Sequence, residues 1–490
     1  MFFSAFSSLL LRFSLCCTLF FFAAVSYAQI PDSLVITREN LIASPDSAQG
    51  KIFLKQILVE GNRKTKEYVI RREIQIKEGD YVNLQNFEAQ LIQARSQVYN
   101  TNLFDEVTFT AIKIDSFNFM LDVKLRERWY IYPSPQFQLI DRSFNEWIKV
   151  YNADLERVTY GAKYTQYNFS GRRDVIRLSL LTGYLRNIQF SYSNPYSNNK
   201  LTEGFGVSAS FTQNREFPFT TRKNNQFTNY KTQGFVRTIY SLGASYFSRK
   251  GYFSSFSYGA AMAHIDLADT AFSNNFSKDY YGSTASSVTF PEFSFNYVYS
   301  KTNNNNYPLT GRFLAYGISK RGIGFNANKL NMLTTSATYN RYKSYGRNWY
   351  GKYTAAALVK LPFKQSFLNR RALGFGSLQL RGLDAFVVDG IAAAVATYTV
   401  RKKIANFNLN FPIKNRFVTK IPFTFYGKTY LDAGYAHATE ETRATLNNKF
   451  LYTTGIGIDV LTFYDIVIGL DYSKNQLQAP GFFFRVVGSL

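Results

Sequence analysis

From Trp129 to Leu490 the chain repeats one texture, in which segments of about ten residues alternate polar and apolar side chains between clusters of Gly, Asn, Ser and Asp. "TYGAKYTQYNF", "NIQFSYSNP", "GFGVSASFT", "PEFSFNYVYSK", "LNMLTTSATYNRY", "NWYGKYTAAALVK", "PFTFYGKTYLDAG", "TTGIGIDVL" and "IVIGLDY" are examples. Successive side chains of a strand point to opposite faces, so each segment predicts a strand with one polar and one apolar face. The count is roughly sixteen strands, of lengths near a tilted bilayer crossing. A soluble sandwich alternates too, but not over residues 129–490 at this length. The expectation is a transmembrane antiparallel β-barrel over residues 128–490, closed so that no edge faces lipid. Connections of unequal length, such as "FSGRRD" against "DLADTAFSNNFSKDYYGSTASS", suit short periplasmic turns and longer outer loops.

The segment 51–127 reads differently. "KIFLKQILVEGN" is a strand ending in a Gly61–Asn62 turn, and "TKEYVIRREI" is a short helix with Thr65 as its candidate N-cap. "IKEGDYVN" reads as a turn. Residues 84–100 form a second helix, because Leu84, Phe87, Leu91, Ala94 and Val98 recur at three- and four-residue steps. "NLFDEVTFTAIK" and "FNFMLDVKLRER" are two strands around Asp115–Ser116. The expected unit is a small α+β domain, β-α-α-β-β, with helices laid on a three-stranded sheet.

Composition adds a compartment. Residues 1–28, with Arg12, a Leu/Phe-rich run and small residues around Tyr27, read as a secretory signal cleaved after Ala28, and residues 29–50 as a flexible leader. Cys16 and Cys17 both fall in the signal, so the remaining chain has no thiol for disulfides or metal. No later run is long enough for a membrane helix; the nearest, 391–400, is short and alanine-rich. Phe and Tyr make up most of the 18% aromatic content, a density suited to strands and bilayer interfaces.

The net charge of +24 is scattered through alternating segments and turns. It therefore fits a solvated lumen and loops beside phosphate-bearing lipids, and nucleic acid is not an expected partner. His264 and His437 stand far apart, and no metal spacing, nucleophile elbow or phosphate-cradling loop is present. Neither an enzyme nor a cofactor is expected.

The opening stretch "ILVEGNRKT", the β-α-α-β-β order and the barrel that follows at once resemble the BamA/TamA-like outer-membrane assembly superfamily. That superfamily pairs POTRA domains with a sixteen-strand barrel and includes the transporters of two-partner secretion. The stretch "LPFKQSFLNRRALGFGSLQLRGLDAF" is similar to the family's long sixth outer loop with its arginine-glycine-aromatic motif. Here the motif falls on Arg381 and Gly382, with Leu383 in place of the aromatic. The family's later wall motif, aromatic-x-Asp-x-Gly, falls on Tyr430, Asp432 and Gly434, and "SYSNPYS" and "NNYPLTGRF" resemble further signatures. The chain departs from the family in Leu383, in ending on Leu490 where an aromatic is common, and in having one POTRA-like domain.

Strand parity puts Phe423, Phe425 and Leu431 on one face of "PFTFYGKTYLDAG" and Tyr426, Lys428, Tyr430 and Asp432 on the other. The apolar face suits lipid, so Asp432 is expected in the lumen. The resemblance implies that Arg381 folds inward to meet it, latching the loop. Asp459 and Asp471 share the inward parity and are rival partners; a solvated Arg381 is the bland alternative. The implied location is the outer membrane with the N-terminal domain in the periplasm. The implied function is insertion of other outer-membrane proteins, with clients engaged by the small domain and inserted at a seam between the first and last strands, where Gly481 and Gly488 after Pro480 weaken pairing. Expected partners are outer-membrane lipids, client outer-membrane or secreted proteins, and accessory assembly subunits. A secretion channel for one partner protein and a passive or structural barrel are the alternatives.

Overall fold

The computed structural model describes residues 50–487 apart from 116, 140–151, 153, 199, 274–279, 283–284, 324–329, 375–377, 384–385, 411–419, 439–443 and 478–479. The expected signal and, apart from Gly50, the leader lie outside the described residues.

The first domain comprises β1 (Lys51–Glu60), α1 (Glu67–Arg71), β2 (Tyr81–Asn83), α2 (Leu84–Tyr99), β3 (Phe104–Lys113) and β4 (Asn118–Glu127). Its sheet runs β2-β1-β4-β3, with β1 parallel to β4 and the other pairs antiparallel. The helical stripe is real: Phe87, Leu91, Ala94 and Val98 are buried against Leu54, Phe109, Leu121 and Val123 of the sheet. Three details differ from the sequence reading. The stretch read as a turn ends in β2, so the sheet has four strands; three residues are too few to show alternation. The first helix covers only Glu67–Arg71 and starts after Lys66. Thr65 is therefore not its cap: its hydroxyl accepts from Asn168 Nδ2 at 2.9 Å and lies 3.1 Å from the Tyr130 hydroxyl. The side-chain cap belongs instead to α2, where Asn83 accepts from the Gln85 amide.

A sixteen-stranded antiparallel sheet follows. Its strands are β5 (Ile131–Leu139), β6 (Val158–Tyr167), β7 (Val175–Gly183), β8 (Leu185–Asn194), β9 (Glu203–Asn214), β12 (Arg237–Lys250), β13 (Ser254–Leu267), β14 (Ser287–Thr302), β15 (Gly311–Arg321), β16 (Met332–Gly346), β17 (Trp349–Leu361), β20 (Ala392–Asn410), β21 (Lys420–His437), β22 (Phe450–Leu461), β23 (Val467–Asn475) and β24 (Pro480–Val487). Hairpin β10 (Glu216–Thr221)–β11 (Phe227–Lys231) and the short pair β18 (Arg371–Leu373)–β19 (Val388–Asp389) sit outside this sheet. No helix among the described residues is long and apolar enough to cross a membrane.

The barrel is apolar outside. Leu180, Leu242, Leu431, Ile456, Leu470 and Phe482 are exposed, while Tyr426, Tyr430, Asp432, Asp459 and Asp471 are buried inside. Strand β23 alternates buried and exposed at every residue. The short connections 168–174, 195–202, 251–253, 303–310 and 462–466 all contact the first domain, which fixes that end as the domain-facing mouth. The long connections lie at the other end, where Phe217, Tyr280, Tyr281, Phe290, Leu330 and Phe367 form an apolar cluster.

Candidate functional site

Within the connection between β17 and β20, residues 378–383 lie inside the barrel. Leu378, Leu380 and Leu383 bury themselves against Ala356, Val395, Ala436 and Leu451 of the wall. Leu383 fills an aliphatic position in that cluster. Gly434 makes the approach possible, since a Cβ there would stand 2.9 Å from Leu380 Cδ1 and 3.2 Å from Val395 Cγ1. Gly382 has φ +83°, the left-handed region glycine tolerates, and its carbonyl accepts from Asn475 Nδ2 at 2.9 Å. A Cβ at Gly382 would meet Ser473 Cβ at 2.7 Å.

Arg381 donates from Nε to Asp432 Oδ2 at 2.8 Å, from Nη2 to Asp432 Oδ1, and from its backbone amide to Oδ2 at 3.2 Å. One residue thus supplies three donors to one carboxylate, a forked pairing that lysine could not reproduce. The guanidinium also donates to Thr399 Oγ1 at 3.0 Å and lies 3.7 Å from the centroid of the Tyr430 ring. Asp432 is 0% exposed. The rival acids have other partners. Lys428 pairs with both Asp459 and Asp471, the latter at 2.7 Å, and Arg485 also holds Asp471. The structure therefore brings Arg381, Gly382, Leu383, Asp432 and Gly434 together around one buried contact.

A second arginine–aspartate pair lies at the domain-facing mouth. Arg128, in the link between β4 and β5, donates to Asp465 Oδ2 at 2.8 Å. Asp465 sits in the β22–β23 turn and also accepts from the Tyr99 hydroxyl at 2.8 Å and from Asn304 and Asn306. The Arg128 guanidinium stacks over the rings of Tyr99 and Tyr464. This pair connects the segment entering the first barrel strand to the turn entering the fifteenth.

A third contact fixes α1's trailing segment to the wall. Arg249 donates from Nη2 to Glu73 Oε2 at 2.7 Å, and the Tyr196 hydroxyl donates to Glu73 Oε1 at 2.8 Å. Burial works against ionisation of Glu73, but the hydrogen bond and charge of Arg249 outweigh it and hold the carboxyl below its ordinary range. Tyr196 and Leu201 insert into the first domain's core.

Glu73, Arg128, Arg249 and Asp465 were not singled out from sequence. The signal that could have found part of this joint was present: "SYSNPYS" contains Tyr196 and "NNYPLTGRF" runs from Asn305, both at the joint.

The small α+β domain leads directly into the sixteen-stranded sheet. Residues 52–128 match the POTRA family described as a surface antigen variable number repeat. Over 78 residues the chain is 35% identical to the outer membrane protein assembly factor BamA of Neorickettsia risticii (strain Illinois), covering 16% of this chain and 10% of that protein. The chain thus spans about a tenth of that curated relative's length. Among solved structures, BamA of Haemophilus ducreyi lacking POTRA domains 1–3 is similar at 15% identity and a TM-score of 0.46, covering 89% of this chain and 83% of that one. CdiB from Escherichia coli is similar at 14% identity and a TM-score of 0.49, covering 89% and 76%. The family match thus covers the small N-terminal domain as a POTRA domain, and the sixteen-stranded sheet follows it directly in the chain.

Proposed function

We propose that this protein is an outer-membrane assembly factor that inserts other outer-membrane proteins at the seam between β5 and β24. One observation carries this reading. Each neighbouring pair in the sixteen-stranded order is joined by a hydrogen-bonded ladder, whereas among the described residues no ladder joins the two end strands. Unpaired backbone groups at a lipid-facing edge are costly, so such an edge is a template for an incoming strand. β24 carries Pro480 and Gly481, which weaken pairing at its start. One ion pair braces the seam without a ladder: Arg128–Asp465 ties the segment entering β5 to the turn entering β23. Arg381–Asp432 seats the inward loop, whose Gly382 rests on β23, on one side of that seam. The POTRA sheet has β2 and β3 at its edges, where an extended client could add a strand.

Secretion of a partner protein is the second reading, favoured by a cavity of about 550 Å³ at the periplasmic end of the lumen. It would require the inward loop to leave. A steady passive pore fits poorly with a lumen occupied by that loop.

The test is a cysteine placed in β5 and another in β24, in a mature chain expected to have no other thiol. Oxidation in cells should arrest assembly of outer-membrane barrels and leave lumenal passage intact. Normal barrel assembly with the seam cross-linked would refute the proposal.

A further inference from the structure

The lumen beside the latch is a cavity of about 350 Å³. Five cations face it: Lys352, Arg381, Arg401, Lys428 and Arg485. Three carboxylates serve them, Asp432, Asp459 and Asp471, and their allegiances are already assigned. Asp432 is taken by Arg381. Asp459 takes Lys428 and a 2.9 Å hydrogen bond from the Tyr307 hydroxyl. Asp471 takes Lys428 and Arg485.

Two cations are weakly served. Among the described residues Lys352 makes no close ion pair and no hydrogen bond; its ammonium is 5.9 Å from the centroid of the Tyr342 ring. Arg401 pairs with Asp459 only at 3.9 Å and donates to the Pro308 carbonyl at 3.5 Å, while its buried Nε has no hydrogen-bond partner. Its guanidinium lies on the Tyr307 ring, 4.4 Å from the centroid. The register makes the two cations neighbours, because Lys352 lies opposite Thr399 and Arg401 opposite Tyr350 on adjacent strands. They are a diagonal pair on one lumenal face, a spacing that one small anion can bridge. Weakly compensated like charges in a partly desolvated cavity repel, and an anion between them reduces that cost.

We propose that Lys352 and Arg401 form a lumenal binding site for a small tetrahedral oxyanion of the phosphate class. Thr354 and Asn340 line the same cavity and supply further polar groups. The site lies directly under the latch, so its occupant and the loop share one electrostatic environment. The proposal rests on lumenal charge alone and stands independently of the assembly role.

The experiment is titration calorimetry of the full-length, detergent-purified protein with inorganic phosphate at constant ionic strength, with chloride as reference. Saturable binding of phosphate is expected, weakened by about tenfold or more in Lys352→Met and largely retained in Lys352→Arg. Heat-modifiable gel migration checks that each variant is a folded barrel. In the wild type, phosphate should also slow acylation of Lys352 by an amine reagent, read by mass spectrometry, which needs no variant. If neither phosphate nor a phosphorylated lipid headgroup binds better than chloride, or Lys352→Met binds as tightly as wild type, the site does not exist. A response to a phosphorylated lipid headgroup in place of free phosphate, again lost in Lys352→Met, would keep the site and identify lipid as its source.

Discussion

Asp432 and Asp465 are both buried carboxylates gripped by an arginine that lies over tyrosine, yet they are wired differently. Asp432 receives three donors from Arg381 alone. Asp465 receives donors from four residues on three separate segments: Tyr99 of the POTRA helix, Arg128 of the linker, and Asn304 and Asn306 of the β14–β15 turn. A pair with one principal partner is lost in a single step, as suits a latch. A hub loses its partners only when several elements move together, as suits a fixed joint. The contact at the domain-facing mouth is thus shared among several elements, whereas the inward loop is held through one principal pair.

The largest effect should come from the hub. Asp465→Ala strands Arg128 and removes the acceptor for three further donors, at roughly 3–5 kcal/mol before relaxation. Hydrogen exchange should show the POTRA domain and linker losing protection together. Arg128→Ala should be milder by about 1–2 kcal/mol, because Tyr99, Asn304 and Asn306 still serve Asp465. Equal losses would break the distinction between hub and latch.

At the latch the pattern should reverse. Arg381→Ala and Asp432→Ala should each cost about 2–4 kcal/mol of loop docking, reduced from the dry limit by lumen water. The double variant should be little worse than either single change. Labelling of a cysteine introduced at Leu383 reports the loop directly. Additive effects would mean that the two residues act separately.

These two sites were unequally legible. Asp432 could be placed in the lumen from strand parity, because Leu431 and the phenylalanines of its strand mark the lipid face. Its partner could not: Arg381 lies in an aperiodic connection, and the resemblance to a known loop motif supplied the pairing. Asp465 was invisible for the same reason, since a short turn with Tyr464 and Asp465 at positive φ has no period to read. The sixteen-strand barrel and the α2 stripe were readable because a repeat advertises its solvent over many residues. Strand β2 and the true extent of α1 were not, since tertiary contacts rather than pattern define such short elements.

A smaller effect separates the joint from the latch by pH. The Glu73 carboxyl is held below its ordinary range, so its contact with Arg249 contributes stability above roughly pH 4.3, the ordinary carboxylate value, and that contribution is lost as pH falls through the depressed value. Acid titration should loosen the POTRA–barrel contact in the wild type, read by fluorescence or cross-linking across Glu73 and Arg249. Glu73→Gln should flatten that acid transition. The smallest change is Asn83→Ala, which removes the α2 cap at about 1 kcal/mol and should lower POTRA stability without altering Leu383 labelling.

The most direct measurement of the central claim is the folding rate of an unfolded outer-membrane barrel added to liposomes holding this protein with its β5–β24 cysteine pair. With the pair reduced, client folding should be accelerated over empty liposomes. With it oxidised, the acceleration should vanish, and reductant should restore it. Equal acceleration in both states would show that the seam is not where this protein acts.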